Sequence, residues 1–213
     1  MQLTKYTHAC VRLDDGDRRL LLDPGIWTEP AAYEGVTDIL VTHEHADHFD
    51  VAHLESLLGS ARKLRIHGPA GLAATAEEDG APAVAAAIQP VAPGDTFTAA
   101  GFEVSTVGGA HAETYEGLPG CANVGFVVAG VYHPGDSFFV PSVPVETLLV
   151  PASGPWTKLA EALDFTRAVA PARAFPIHDA MFSDRGNGNF DGWLEEKGRT
   201  AYTRIPVGGS VSF

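Results

Sequence analysis

Short runs of strand type dominate the first forty residues. Residues 9–13 and 18–22 read as strands flanking a tight turn at Asp15-Gly16, and 38–41 is a short apolar run of the kind buried on both faces. Helical spacing then enters at 51–58, followed by a strand at 63–67 and a second helix at 71–78 behind Gly68-Pro69. The Ala-rich stretch 80–87 fits a loop or a frayed helix equally well. Strands resume around Ile88 and Phe97, at 102–107, and at 124–129 and 131–133 around the turn Ala129-Gly130. A strand at 147–150, a helix at 156–168, a strand at 172–177, a helix near 190–197 and terminal strands at 204–205 and 211–213 complete the pattern. The second half thus repeats the plan of the first, without a low-complexity linker between them. Two such halves predict an α+β fold, an αβ/βα sandwich of four layers in one domain spanning 1–213.

Composition narrows the class. Hydrophobic residues make up 45% of the 213 positions and charged residues 19%, which sets the chain apart from disordered and fibrous proteins. Lys and Arg number 14 against 27 Asp and Glu, a formal net charge of -13 that repels phosphate backbones and anionic lipid. The longest basic feature, Arg62-Lys63-x-Arg65, is short, so neither nucleic acid nor membrane is an expected partner. No window approaches the ~18 apolar residues of a membrane span and the N-terminus lacks an export-type apolar run, so a cytoplasmic location is expected. Cys10 and Cys121 stand far apart in no CxxC pattern and read as small buried hydrophobes.

Chemistry concentrates directly after the apolar run 38–41, at His43-Glu44-His45-Ala46-Asp47-His48. Four ligand-type side chains occupy offsets 0, 2, 4 and 5. On a helix these point to about 0°, 200°, 40° and 140°, so only a loop brings them to one ion. The zinc-protease helix motif is excluded because Asp47 stands where its second His belongs. Three further polar residues follow apolar strands: His111, Asp136 in Pro134-Gly135-Asp136-Ser137, and His178 after Phe175-Pro176-Ile177.

This ordered series resembles the metallo-β-lactamase-fold hydrolase superfamily. His8-Ala9-Cys10, Leu22-Asp23-Pro24 and Tyr132-His133-Pro134-Gly135-Asp136 further resemble the subgroup of ascorbate-6-phosphate lactonase-like proteins. The resemblance implies two divalent ions, zinc first, with manganese or iron as alternatives. His43, His45 and His111 would hold one, Asp47, His48 and His178 the other, and Asp136 would bridge them; Asp47 or Asp136 would orient a metal-activated hydroxide and carry its proton. Asp23 would orient a ligand from behind, with His8 and His133 near the site but not counted as ligands.

Loop aromatics Tyr115 and Trp156, together with Trp27, Phe182 and Asn187, are candidate substrate contacts, while His53 and His67 read as surface or capping residues. The expected activity is hydrolysis of a small cytosolic molecule at a lactone, ester, amide or phosphodiester bond. A mononuclear iron oxidoreductase of the persulfide dioxygenase type and a non-catalytic binding module are the alternatives.

Overall fold

The computed structural model describes residues 1–60 and 63–213, so Arg62 of the basic stretch lies outside the described residues. Among these, the strands form two seven-stranded sheets. The first holds β1 (Gln2–Lys5), β2 (Val11–Asp15), β3 (Arg18–Leu22), β4 (Asp38–Leu40), β5 (Arg65–Gly68) and β6 (Ile88–Pro90). The second holds β7 (Thr96–Ala99), β8 (Phe102–Gly108), β9 (Val124–Val128), β10 (Val131–His133), β11 (Thr147–Pro151), β12 (Arg173–Ile177) and β13 (Ala201–Tyr202). The last strand, β14 (Ser210–Ser212), returns to the first sheet beside β1. Each sheet begins antiparallel and turns parallel halfway, at β3–β4 and at β10–β11. The repeated plan in the sequence is this shared topology.

Period-two alternation explains the layers. Leu20, Leu22 and Leu40 face the second sheet, where Phe126, Val128, Leu149, Phe175 and Ile177 meet them. Leu21, Ile39 and Val41 face outward and are covered by α1 (Val51–Gly59), α2 (Gly71–Glu78) and α3 (Pro82–Ala87) through Leu54, Leu72 and Val84. On the far side Leu148, Val150 and Ala174 pack under α4 (Leu159–Val169) and α5 (Asp184–Lys197) through Phe165, Phe190 and Leu194. The order is helices, sheet, sheet, helices, the expected four-layer sandwich. No helix among the described residues is long and apolar enough to cross a membrane.

Several elements depart from the sequence reading. The first strand, β1, went unread because only four residues alternate there. The stretch 80–87 resolves into α3, opened by Pro82 at its first turn. The helix expected at 156–168 starts at Leu159, which leaves Trp156 on the preceding loop. The helix expected at 190–197 starts instead at Asp184, where the Ser183 side chain caps Gly186 N–H; Gly186 and Gly188 disguise its first turns. Residues 204–205 are not a strand, since pairing with β12 ends at Tyr202.

His67 is not a surface residue. It is buried, donates from Nε2 to Asp38 Oδ1 at 3.0 Å and stacks on Phe97 at 4.8 Å. Asp38 is fully buried and also receives Arg65 bidentately at 2.7 and 2.8 Å. Burial works against its charge, but hydrogen bonds from His67, Arg65 and Thr37 hold its carboxyl well below the usual range. A depressed folded pKa contributes stability above the unfolded pKa and loses it as pH falls through the folded one. Asp38→Asn should therefore cost about 1–3 kcal/mol at pH 7. Denaturant titrations across pH should show the gap to wild type narrowing below pH ~4; a gap independent of pH would refute the ionic role.

Candidate metal centre

Strand ends build the site. Asp23 follows β3, His43 follows β4 by two residues, Asp136 follows the turn after β10, and His178 follows β12 directly, all at the C-terminal edge of the sandwich. Three of these loop residues sit in the left-handed region without being glycine: His8 (φ 65°), Asp23 (φ 47°) and His178 (φ 53°). Such conformations cost of order 1–3 kcal/mol each and persist when surrounding bonds over-determine them. Here the bonds are explicit. His178 N–H donates to His8 O (3.1 Å), Ser153 N–H to His178 O (3.0 Å), Asp23 N–H to Leu40 O (2.9 Å), and Lys5 Nζ to His8 O (2.7 Å).

The hydrogen bonds also assign the imidazole tautomers. Thr42 Oγ1 gives its proton to Asp23 Oδ2 (2.7 Å) and so accepts from His43 Nδ1 (2.9 Å), which leaves His43 Nε2 bare. His48 donates from Nδ1 to Asp23 Oδ2 (2.7 Å), His111 from Nδ1 to Ala112 O (2.6 Å), and His178 from Nδ1 to Ser153 O (2.6 Å). Each ring then aims Nε2 inward. His45 turns Nε2 toward Cys121 Sγ (3.9 Å) and presents Nδ1, 3.1 Å from His43 Nε2. Cys121 is therefore half-buried at the site rather than a core hydrophobe; Cys10 is buried as expected.

Asp136 is the meeting point. Its Oδ1 lies 3.0 Å from His48 Nε2, and its Oδ2 lies 3.3 Å from His111 Nε2, 3.2 Å from His178 Nε2 and 3.9 Å from His43 Nε2. Two quartets of ligand atoms result, each mutually within 4.8 Å: His43, His45, His111 and Asp136, and His8, Asp47, His48 and His178. The His48, His111 and His178 Nε2 atoms and Asp136 Oδ1 are buried without a well-aligned hydrogen-bond partner. Inward-facing imidazole nitrogens gathered round buried carboxylates, without well-aligned partners of their own, are the kind of donor set that holds a divalent cation.

His8 joins the second quartet by position but not by chemistry. Its Nδ1 accepts from Ala180 N–H (3.3 Å), so Nε2 carries the proton and donates to Asp47 Oδ2 at 3.1 Å. His8 orients Asp47, as the sequence reading placed it beside the ligands. His133 lies behind the site: Nε2 donates to Ala9 O (2.9 Å) and Nδ1 accepts Gly135 N–H (3.1 Å), which pins the turn carrying Asp136.

Burial lowers the pKa of His8, His43, His45 and His133, favouring neutral rings. Burial opposes charge on Asp136 and Asp47 too. For Asp136 the facing His48 and His178 outweigh it, and for Asp47 the His178 and His8 hydrogen bonds do; both carboxyls sit well below the ordinary range. His178 goes the other way, up to about 9, because Asp136 and Asp47 outweigh its desolvation.

Asn123, Lys5 and Arg204 are positioning residues that gave no sequence signal, and Trp156, expected as a substrate contact, is a positioning residue as well. Asn123 donates to Pro134 O (2.8 Å) and accepts Asp136 N–H (2.9 Å), and Trp156 Nε1 donates to Asp136 Oδ2 (3.0 Å). Lys5, fully buried, reaches Asp179, which also pairs with Arg204; Arg204 in turn binds Asp191 (2.8 Å). A cavity of about 460 Å³ opens over the centre, and Trp27 and Trp156 line it. Tyr115 does not. It is 68% exposed on a tight turn that presents Leu118 to the cavity instead. Phe182 and Asn187 also stand outside the lining, and Asn187 instead accepts from Arg204 (3.2 Å).

Comparison with known proteins agrees with this architecture. Residues 2–178 match the model of the beta-lactamase superfamily domain. A Mycobacterium tuberculosis protein, Protein Rv0786c, is 37% identical over the full length of both chains. A Thermus thermophilus protein named UPF0173 metal-dependent hydrolase is 29% identical over 82% of each. Among solved structures, Igni18, a metallo hydrolase from Ignicoccus hospitalis, superposes with a TM-score of 0.74 at 19% identity, covering 100% of this chain and 98% of that one. The chain therefore belongs to the beta-lactamase superfamily, as a metal-dependent hydrolase of the metallo-β-lactamase fold.

Proposed function

We propose that this hydrolase works with two divalent ions, zinc first, manganese or iron as alternatives, on a lactone, other ester, amide or phosphodiester of a small cytoplasmic molecule. His43, His45 and His111 would hold one ion, Asp47, His48 and His178 the other, with Asp136 shared. The observation that carries the reading is the set of four buried, unpartnered ligand atoms converging from four separate loops. Two such ions, when bound, bring a water toward neutral ionisation and polarise the scissile group.

The chain's own residues do the rest. Asp136, clamped by Asn123 and Trp156, keeps Oδ1 turned to His48 and Oδ2 turned to His111 and His178, so its carboxylate faces both histidine sets. Asp47 is the more exposed carboxylate, at 23%, and lines the cavity. Held by His8 at Oδ2, it takes a proton from the attacking water and returns it to the leaving group. No serine or cysteine nucleophile is needed, and neither nucleic acid nor membrane is a partner.

Protein purified without chelator should carry two equivalents of metal, and a screen across lactones, thioesters, amides and phosphodiesters should find turnover that chelation abolishes. His111→Ala should empty the first position and His178→Ala the second. Wild-type stoichiometry in both variants, or turnover indifferent to chelator, would overturn the assignment.

A further inference from the structure

We propose that the substrate carries an uncharged, apolar group beside the bond that is cleaved, seated against Trp27, Leu118, Pro119, Pro155, Trp156 and Met181. This rests on the hydrolase reading of the same site and narrows its substrate class. Those six residues make up half of the twelve lining the cavity. Most of the others are the metal-facing histidines and carboxylates, and Thr114 is the one uncharged polar side chain among them. Trp27, Leu118 and Met181 are 46%, 62% and 57% exposed. Large apolar side chains gathered in the open at one cavity mouth mark a place where an apolar ligand displaces water.

Charge points the same way. No Lys or Arg is among the described residues lining the cavity. The cations nearest in the network, Lys5 and Arg204, are already paired with Asp179. Arg185, on the first turn of α5, is exposed and stands outside the lining. Away from the metal centre itself, an anionic tail would find no Lys or Arg among the described lining residues to pair with. A phosphorylated lactone, of the kind the subgroup resemblance implies, is therefore a poor fit. The volume of about 460 Å³ lies within the range of small-molecule sites, which favours a small ligand over a protein segment.

The test uses Trp27 and Trp156 as reporters. Quenching of tryptophan emission is titrated with N-methyl-4-phenylbutanamide and with the same amide bearing a para-carboxylate, which leaves the head facing the centre unchanged. The neutral amide should bind at least ~10-fold more tightly, and Met181→Lys should erase or reverse that preference. Equal or tighter binding of the carboxylate by wild type, or an unchanged preference in Met181→Lys, overturns the proposal. The two readings fail separately. A neutral preference without hydrolysis of any ester, thioester or amide of the neutral series removes the hydrolytic chemistry and leaves the apolar seat standing; faster hydrolysis of the charged series removes the seat and leaves the hydrolase.

Discussion

Asp136→Asn should lower turnover by at least ~100-fold and deplete bound metal, while leaving the fold unchanged. The fold is insulated because Asp136 is held by its backbone: its N–H binds Asn123 Oδ1 at 2.9 Å and its carbonyl accepts Ala112 N–H at 2.8 Å, and an asparagine keeps both. The side chain is what changes. As carboxylate it offers acceptors in two directions, toward His48 on one oxygen and toward His111 and His178 on the other, which also takes the Trp156 N–H. An amide has one acceptor oxygen and an NH2, so either Trp156 or one histidine set must face a donor. It also removes a negative charge from between the two proposed cations. Metal analysis beside initial rates checks this; a variant with two ions and near-normal rates would reduce Asp136 to a turn residue.

Gly135→Ala should be as damaging from one position away, through a different cause. Gly135 has φ +62°, and a Cβ there would come within 2.3 Å of Asn123 Oδ1 and 2.6 Å of Thr42 Cβ and Oγ1. Both neighbours matter to the centre: Asn123 clamps Asp136, and Thr42 joins Asp23 to His43. The left-handed backbone costs an alanine roughly 1–2 kcal/mol, and forcing a methyl into packed surroundings typically adds 1–3. A loss of about 2–5 kcal/mol, with metal and activity falling together, is expected. Gly16→Ala is the control, since Gly16 has φ +61° with nothing within 4 Å of its Cβ position. It should lose only the backbone share and keep full activity. Equal behaviour of the two variants in denaturation and rate assays would show that the close approach at Gly135 has no consequence.

The positions of the residues that converge at the candidate centre were legible because several of them are announced locally. A short apolar run followed within a few residues by His or Asp is a strand feeding a loop, and that holds for His43, Asp136 and His178 alike. Asp23 came from the resemblance of Leu22-Asp23-Pro24 alone, with its left-handed φ and its bonds to Thr42 and His48 added by the fold. The reading failed where the local signal was weak or misleading. Gly186 and Gly188 concealed the start of α5, four residues were too few to reveal β1, and Tyr115 looked like a substrate contact only because it follows His111 closely.

By itself, the sequence determined the strand and helix order, the two-halves plan and the loop positions of the metal-type residues, because periodicity and motif spacing depend on near neighbours along the chain. Only the tertiary structure decided which ring nitrogens face inward, because several of the bonds that fix the tautomers join distant segments: His8 to Ala180, 172 positions away, and His48 to Asp23, 25 away. The burial of Lys5 against Asp179, 174 positions on, is of the same kind. So is the apolar wall above the centre, assembled from the loops around Trp27, Leu118, Trp156 and Met181. The two tryptophans stood out in the chain as loop aromatics, but Leu118 and Met181 did not, since what marks them is exposure at 62% and 57% beside buried charges, a property of packing that no local pattern encodes.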